Sequence, residues 1–442
     1  MEIDLSKINN IHFIGIGGIG ISAIARMMMN DGKKVTGQDM QDGQIVKELK
    51  KLGAEIIIGQ SFENIPEDTE LIVYTIAIDN YDEELSGKIK NQNKIPTRSY
   101  PQMLGLLSKD KYTIAVSGTH GKTTTTGMLA QILVDAEKDP TVVVGSLLKG
   151  GSNFIGGKSD LFLVEACEYR RSFLNVNPKI LVITNIDEDH LDYYKDIEDI
   201  KSAFRELALK VPSDGFVVCN PNDKNVGDVI KDIKAKIVNW EDYFNPDLKL
   251  KIPGIHNKKD AGASVAVATL LGIKKEKAEE SLMEFPGTWR RFEYKGEIMG
   301  GAKLYDDYAH HPVEIASTLE GFRELYPKAD GWKVTVVFQP HLFSRTKLLL
   351  KDFGESFGEA DMVLLLPIYM AREKDDGTIS SQILANEINT HQENAKAFLD
   401  FETASIYLKK YLEVELPNIE KNLVVTMGAG EAFKIGDNLT KE

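Results

Sequence analysis

Gly118-Thr119-His120-Gly121-Lys122-Thr123 joins an apolar run, Tyr112 to Val116, to the helix-forming segment Thr123 to Val134. A strand feeding a glycine turn and then a helix N-terminus makes a phosphate cradle, because backbone N–H groups and the helix dipole point at anionic oxygens. Lys122 adds a mobile positive charge, and the Thr123 hydroxyl, with Thr124 beside it, suits a nucleotide-bound Mg2+. The usual loop pattern has a glycine five residues before Gly121, where this chain has Val116. The chemical parts are present without the strict spacing, and a nucleoside triphosphate is the expected ligand.

Acids cluster at the ends of two further strand-like runs. Leu161 to Val164 leads into Glu165-Ala166-Cys167-Glu168, and Ile180 to Thr184 leads into Asn185-Ile186-Asp187-Glu188-Asp189-His190-Leu191-Asp192. Carboxylates at the C-terminal end of a parallel strand face the crevice where such sheets bind ligands, and hard oxygens suit Mg2+. Most acidic runs are solvated turns, but this one follows a core strand of the phosphate-loop block, which favours metal or phosphate chemistry, with Glu165 and His190 the preferred candidates. Asp306-Asp307-Tyr308-Ala309-His310-His311-Pro312 ends another strand and opens a helix with Pro312 near its first position. Gln339-Pro340-His341-Leu342-Phe343-Ser344-Arg345-Thr346 follows Val334 to Phe338 in the same way, and Arg345 can clamp a carboxylate or phosphate.

A second glycine turn, Gly15-Ile16-Gly17-Gly18-Ile19-Gly20, lies between the strand-like Ile11 to Ile14 and a helix running to about Asn30, with Asp39 at the end of the next strand. In the dinucleotide fingerprint these glycines admit a pyrophosphate and the acid takes a ribose hydroxyl. NAD, another diphosphate such as a nucleotide sugar, and a purely structural turn all fit the pattern. A second phosphate loop a hundred residues later favours the nucleotide sugar, since a plain dehydrogenase has no use for it.

The elements that must hold these residues read as three successive α/β blocks. Strand candidates at Lys33 to Thr36, Glu55 to Ile58 and Leu71 to Tyr74 complete the first block. Thr141 to Val144 and Gly215 to Cys219 join the second; Ala302 to Tyr305, Met362 to Leu366 and Leu423 to Thr426 belong to the third. Strands alternating with helices imply parallel sheets covered on both faces. The polar Ser108-Lys109-Asp110-Lys111 reads as a linker, and the second block closes near Arg290-Arg291-Phe292-Glu293. The expected domains are 1–108, 109–294 and 295–442: a Rossmann-like domain, a central phosphate-loop α/β domain and a C-terminal Rossmann-like α/β domain. At 442 residues, 42% hydrophobic and 27% charged, the chain reads as soluble, globular and too long for one core. A net charge of -14 argues against nonspecific binding to nucleic acid or anionic membrane. Two cysteines, Cys167 and Cys219, make no disulfide framework. With no secretion-type start at Met1 and no apolar run of about 18 residues, a cytoplasmic enzyme is expected.

Together the motifs resemble the Mur ligase family, ATP-dependent enzymes that build the peptide of peptidoglycan precursors for the cell wall. The resemblance runs from His12 to Met427-Gly428-Ala429-Gly430, and its force lies in the joint order of His12 to Gly20, Gly118 to Thr123, Gly254-Ile255-His256-Asn257, Arg290 to Glu293, Asp306 to Pro312 and Phe338 to Thr346. The motifs are most similar to those of the member that adds the first amino acid. That resemblance implies ATP, UDP-N-acetylmuramate and L-alanine as small-molecule substrates, with Mg2+ or Mn2+ as the metal. Gly15, Gly17, Gly18, Ile19, Gly20 and Asp39 would then cradle uridine diphosphate. Gly118 to Thr124 would hold ATP, with metal near Thr123, Glu165 and His190. His256 and Asn257 would lie by the nucleotide, Arg291 near its phosphates, and Asp307, His311 and Arg345 would serve the nucleotide and the incoming amino acid. Lys122, Glu165, His190, His311 and Arg345 form the implied catalytic set, and domain closure would shield an acyl phosphate from water.

The chain departs from the family pattern at several positions. Cys167 stands in place of an acid, Arg170 and Arg171 enter after Glu168, Gln60 replaces a common histidine, Ser99-Tyr100 an arginine, and Leu342 a residue that is basic in many relatives. Three other readings predict different behaviour. A recycling ligase would attach an intact tripeptide to the same sugar. A nucleotide-sensing protein without turnover would have lost Lys122 or Glu165. An oxidoreductase fused to an ATPase would bind NAD and ignore UDP-sugar.

Overall fold

The computed structural model describes residues 3–148, 151–298, 301–371, 373–415 and 421–440. Three sheets follow one another along the chain. The first contains β1 (Asn10–Ile14), β2 (Lys34–Asp39), β3 (Glu55–Ile58), β4 (Leu71–Tyr74) and β5 (Thr97–Ser99), all parallel, in the order β3-β2-β1-β4-β5. The strand order reverses beside β1, which places the glycine turn after β1 at the crevice where such sheets take ligands.

The second sheet contains β6 (Tyr112–Ser117), β7 (Thr141–Val143), β8 (Phe154–Ile155), β9 (Leu161–Glu165), β10 (Ile180–Ile183), β11 (Phe216–Cys219) and β12 (Lys236–Asn239). Its order is β12-β11-β10-β6-β9-β7-β8, parallel except for the β7–β8 pair. β6 is central, between β10 and β9, so the phosphate loop at its end is flanked by the acidic segments that follow those two neighbours. Ile114 to Val116 and Ile180 to Ile183 are fully buried. Helices on both faces demand near-continuous apolar strands, which is why these runs were legible.

The third sheet contains β13 (Glu293–Ile298), β14 (Ala302–Asp307), β15 (Lys333–Phe338), β16 (Met362–Leu365), β17 (Ala395–Ala397) and β18 (Asn422–Met427). Its order is β13-β14-β18-β15-β16-β17, parallel except that β13 runs antiparallel to β14. Strands β5, β8, β12, β13 and β17 have no counterpart in the sequence reading. All five lie at sheet edges, where one side of the ladder meets no neighbour and the long apolar signal is absent.

The packing divides the chain into two compact units, Met1–Phe244 with Asp260–Leu282, and Asn245–Lys259 with Met283–Glu442. The first unit holds the first two sheets. The expected linker is anchored there: buried Ser108 accepts from the Asn177 N–H at 3.1 Å, and its carbonyl accepts from Thr113 Oγ1 at 3.1 Å. Asn153, fully buried beside the second sheet, donates to Ser22 Oγ at 2.9 Å and to the Ile19 carbonyl of the helix after the first glycine turn. In the second unit, Arg290 to Glu293 packs on the third sheet, with the Phe292 ring stacked on Phe322 at 3.9 Å. Among the described residues no helix is long and apolar enough to cross a membrane.

Candidate active site

The phosphate loop turns sharply from β6 into the helix Lys122–Asp135. Gly118 (φ 140°) and Gly121 (φ 81°) occupy conformations that disfavour a side chain. A Cβ at Gly118 would strike Thr184 Oγ1, and one at Gly121 would strike Asp260 Oδ1. The rest of the loop is pinned from the end of β10. Asn185 Oδ1 accepts from the His120 N–H at 2.9 Å, and the His120 carbonyl accepts from Asn185 Nδ2 at 3.0 Å and Thr184 Oγ1 at 2.5 Å. Thr119 Oγ1 accepts from the Asp187 N–H at 2.9 Å. Thr123 and Thr124 are buried in the first helical turn, and no side chain caps its amides. About half a positive charge at such a terminus is available to an anion.

Glu165, the last residue of β9, faces this loop. Its Oε1 accepts from Thr123 Oγ1 at 3.0 Å and its Oε2 from the Gly145 N–H at 2.8 Å. A Cβ at Gly145 would lie 2.5 Å from Glu165 Oε1, so the carboxylate needs that glycine. Lys122 Nζ donates to the Gly118 carbonyl at 2.6 Å, the Thr119 carbonyl at 2.9 Å and Glu168 Oε1 at 2.9 Å. Burial opposes the ammonium charge, but the nearby carboxylates, Glu168 foremost, hold its pKa above the ordinary lysine value.

His190 adopts φ 53° and brings Nε2 within 3.8 Å of both Glu168 Oε1 and Asp189 Oδ2. Its ring rests against Tyr169, with centroids 4.8 Å apart. Two of the flanking acids shape the turn: Asp187 Oδ1 accepts from the Glu188 N–H at 2.8 Å and Asp189 Oδ1 from the His190 N–H at 2.7 Å. The donor set fits a divalent cation. Thr123 Oγ1 and Glu165 Oε1 are adjacent hard oxygens, and the buried His190 Nδ1 and Glu168 Oε2 have no hydrogen-bond partner among the described residues. Three His, Cys, Asp or Glu side chains do not gather into one metal-holding group among those residues. Mg2+ commonly keeps water and phosphate oxygens in its shell and needs only one or two carboxylates.

At the first glycine turn, Gly15 (φ 74°) donates to the Gln38 carbonyl at 2.8 Å, and a Cβ there would strike Thr75. The Gly17 N–H donates to Asp39 Oδ2 at 2.8 Å, so Asp39 holds the loop itself. Gly18 caps the helix Ile19–Asn30 without a side-chain bond. Gly20 lies over Tyr100, whose ring carbon Cζ would be 2.6 Å from a Cβ at that position. Beneath the turn, His12 Nδ1 meets Thr36 Oγ1 at 2.8 Å and Nε2 meets Gln38 Nε2 at 3.0 Å, and burial pushes its pKa down to about 4.

In the second unit, buried Asp307 accepts from the Phe292 N–H at 2.7 Å and the Ala309 N–H at 2.8 Å, which fixes the backbone just after Arg291 and just before His310. Burial raises its pKa to about 6, against the lowering influence of Arg291 and those amides. Arg291 lies over the Tyr308 ring at 5.1 Å. Its neighbour Arg290 is structural: it pairs with Asp306 at 2.6 Å and donates to the Gly428 and Gly430 carbonyls. His311 is the N-cap of the helix Pro312–Leu325, its Nδ1 accepting from the Val313 N–H at 3.4 Å. Arg345 is buried and reaches His341 Nδ1 at 3.3 Å. Leu342, at φ 71°, is also buried, 1% exposed. Asn257 Nδ2 donates to the Pro253 carbonyl at 2.6 Å, and burial lowers the His256 pKa to about 4.

Similarity to known proteins covers all of this. The chain matches the Mur ligase family catalytic domain over residues 10–112, the Mur ligase middle domain over 116–287 and the Mur ligase glutamate ligase domain over 290–430. This chain belongs to the Mur ligase family. The UDP-N-acetylmuramate–L-alanine ligase of Caldanaerobacter subterraneus is 42% identical, covering 100% of this chain and 99% of the relative. That of Clostridium tetani is also 42% identical, over 100% of each. The crystal structure of the Thermotoga maritima UDP-N-acetylmuramate–alanine ligase superposes with a TM-score of 0.76 at 25% identity, covering 98% of both chains. A murein peptide ligase from Psychrobacter arcticus shares the fold at TM-score 0.71 and 21% identity, with the same 98% coverage of both.

For this Mur ligase, Gly118 to Thr124, Glu165 and His190 come together around one loop of the first unit, and Gly15 to Gly20 with Asp39 form a second cradle in that unit. His256, Asn257, Arg291, Asp307, His311 and Arg345 belong to the second unit. Sequence reasoning missed Glu168 as the partner of Lys122. An acid just beyond a core strand beside the loop was the available signal, but Glu165 absorbed it.

Proposed function

We propose that this Mur ligase joins L-alanine to the lactyl carboxylate of UDP-N-acetylmuramate at the expense of ATP, in peptidoglycan precursor synthesis in the cytoplasm. The observation that carries the reading is Lys122, Thr123 and Glu165 held around an uncapped helix N-terminus, in a chain 42% identical over its whole length to ligases of that name. We take residues 1–108 as the sugar-nucleotide domain, 109–294 as the ATP domain and 295–442 as the ligase domain, supported by family matches at 10–112, 116–287 and 290–430.

A lactyl carboxylate oxygen attacks the γ-phosphorus of ATP, and the bond to the β,γ-bridging oxygen breaks to release ADP. Both reactants are anions, so charge neutralisation governs the barrier. Lys122, with the loop amides, supplies it from the protein. Thr123, Glu165 and His190 are the residues that would hold Mg2+ or Mn2+, which would supply further neutralisation of the phosphate oxygens. The acyl phosphate then has a good leaving group. The neutral amine of L-alanine attacks its carbonyl carbon, the nitrogen loses a proton, and the tetrahedral intermediate expels inorganic phosphate to leave the amide. Arg345 is assigned the amino acid's carboxylate; His311 joins it in the catalytic set. His256, Asn257, Arg291 and Asp307 are assigned to the nucleotide, and Gly15, Gly17, Gly18, Ile19, Gly20 and Asp39 to the uridine diphosphate.

Phosphate release from ATP with UDP-N-acetylmuramate tests this, with L-alanine, glycine, L-serine or the recycling tripeptide added in turn. Release that needs both the sugar and L-alanine, with the amide found by mass spectrometry, is the expected result. A preference for the tripeptide moves the enzyme to recycling, and no release with any pair defeats the reading. Arg345→Ala should raise the apparent KM for L-alanine far more than that for ATP; an unchanged amino-acid KM removes Arg345 from that role.

A further inference from the structure

Glu168 is a carboxylate to which the reaction steps above assign no role. Its side chain is 3% exposed and sits beside the phosphate loop. One oxygen, Oε1, lies 2.9 Å from Lys122 Nζ and 3.8 Å from His190 Nε2; the other, Oε2, has no hydrogen-bond partner among the described residues. A buried carboxylate oxygen left unpaired costs free energy that packing must offset. The backbone of Glu168 is fastened at the same time, its carbonyl accepting from the Tyr194 hydroxyl at 2.5 Å. The carboxylate is therefore held in place toward Lys122 by its surroundings.

The lysine tells the other half. An ammonium group has three N–H donors, and those of Lys122 are matched by three internal acceptors: the Gly118 carbonyl, the Thr119 carbonyl and Glu168 Oε1. A phosphate can take this lysine only by displacing one of them. Both carbonyls belong to the loop that wraps the phosphate, and their positions are set by the turn. Glu168 is the one acceptor that brings a full negative charge into the space where an anion must bind, so it is the partner whose exchange relieves repulsion.

We propose that Glu168 is a positioning residue, a built-in counter-ion that holds Lys122 aimed before nucleotide arrives and is displaced from it by the nucleotide phosphates. The inference rests on the ATP-binding reading above. Through this competition weakly charged anions are rejected, since only a ligand that also engages the loop amides offsets the lost ion pair. Turnover benefits because the lysine is delivered in position, at the cost of tighter nucleotide binding.

The test is calorimetric titration of the full chain with ADP in EDTA, which isolates the lysine from any metal, together with ATP kinetics. Removing the charge in Glu168→Gln should tighten ADP binding about tenfold, the size of one charge-assisted hydrogen bond. Glu168→Asp keeps the charge but withdraws it by a methylene and should give an intermediate gain, about threefold by the same reasoning. In turnover, Glu168→Gln should show a lower apparent KM for ATP together with a lower kcat, and Glu168→Asp should recover part of the kcat. Unchanged or weaker ADP binding in both variants, with melting temperatures at the wild-type value, overturns the proposal and leaves Glu168 as a loop fastener. If Glu168→Gln fails to fold, Glu168→Asp decides alone: tighter ADP binding supports the counter-ion, and equal or weaker binding refutes it. Failure of the wild-type chain to bind ADP or release phosphate is a separate result, which falls on the ATP-binding reading.

Discussion

The two glycine turns of the first unit have the same architecture and opposite electrostatics. Each follows a parallel strand, opens a helix and lacks a side-chain cap. At Gly15 to Gly20 the charged side chain bonded to the turn is an anion, Asp39 accepting from the Gly17 amide, and an aromatic ring, Tyr100, lies beneath Gly20. At Gly118 to Lys122 the turn carries its own cation, and the strand on one side brings Glu165 and Glu168 to it. Strand, turn and helix suffice to hold a diphosphate. Transferring a phosphoryl group needs mobile positive charge and hard oxygens as well, and only the second turn gathers them.

That contrast can be broken most severely at Lys122. Lys122→Met should lower phosphate release about a hundredfold to a thousandfold, the usual cost of losing one transition-state charge contact, while UDP-sugar affinity is preserved. Near-wild-type turnover would end the distinction between the turns. Because Glu168 would be left buried without its partner, the melting temperature should fall too.

Gly121→Ala comes next. It places a side chain at φ 81° against Asp260, and strain of about 1–3 kcal/mol should appear as a raised KM for ATP with the sugar KM unchanged. Equal shifts in both constants would show that the variant distorts the whole unit. Gly17→Ala is the mirror experiment: its Cβ would lie 2.9 Å from Asp39 Oδ2 and Val46 Cγ2. The sugar KM should rise about tenfold, from overpacking of about 1–3 kcal/mol, and the ATP KM should stay. A shift in the ATP constant alone would reverse the assignment of the two turns.

The smallest effect concerns pH. His12, under the first turn, has its folded pKa lowered to about 4 from an ordinary 6.5, with burial as the cause. The neutral ring is favoured in the folded state, so this stability is present above pH 6.5 and is lost as pH falls toward 4. The loss amounts to at most about 3 kcal/mol. In His12→Gln the denaturant midpoint should fall less steeply across that window; identical acid limbs would remove His12 from the account.

How far the sequence reached differs by element. Core strands such as Ile180–Ile183 were legible because burial on both faces leaves a continuous apolar run, and the glycine turns because positive φ admits few other residues. Most edge strands, such as Lys236–Asn239, were not, since half-exposed positions tolerate polar residues and carry no period; Glu55–Ile58, with three consecutive isoleucines, is the exception. Among the candidate site residues, Lys122, Glu165 and His190 stood out by type and place. Glu168 did not, because its role depends on where a loop with Arg170 and Arg171 both at positive φ carries it. Asp39 was found by its place at the end of the second strand; its bond to the Gly17 amide was not, because that contact exists only once the turn is folded.

The amino-acid sequence by itself determined the α/β class, the two glycine turns and the family, because turn chemistry and strand burial are local demands that each residue answers alone. Only the tertiary structure decided which carboxylate meets the phosphate-loop lysine, which arginine of Arg290 and Arg291 is spent on an internal ion pair, and that Asn245–Lys259 packs with the last third of the chain. Those outcomes depend on side chains brought together across many residues of sequence, where the energy of a contact is set by burial and by the partner that arrives, neither of which is written at one position.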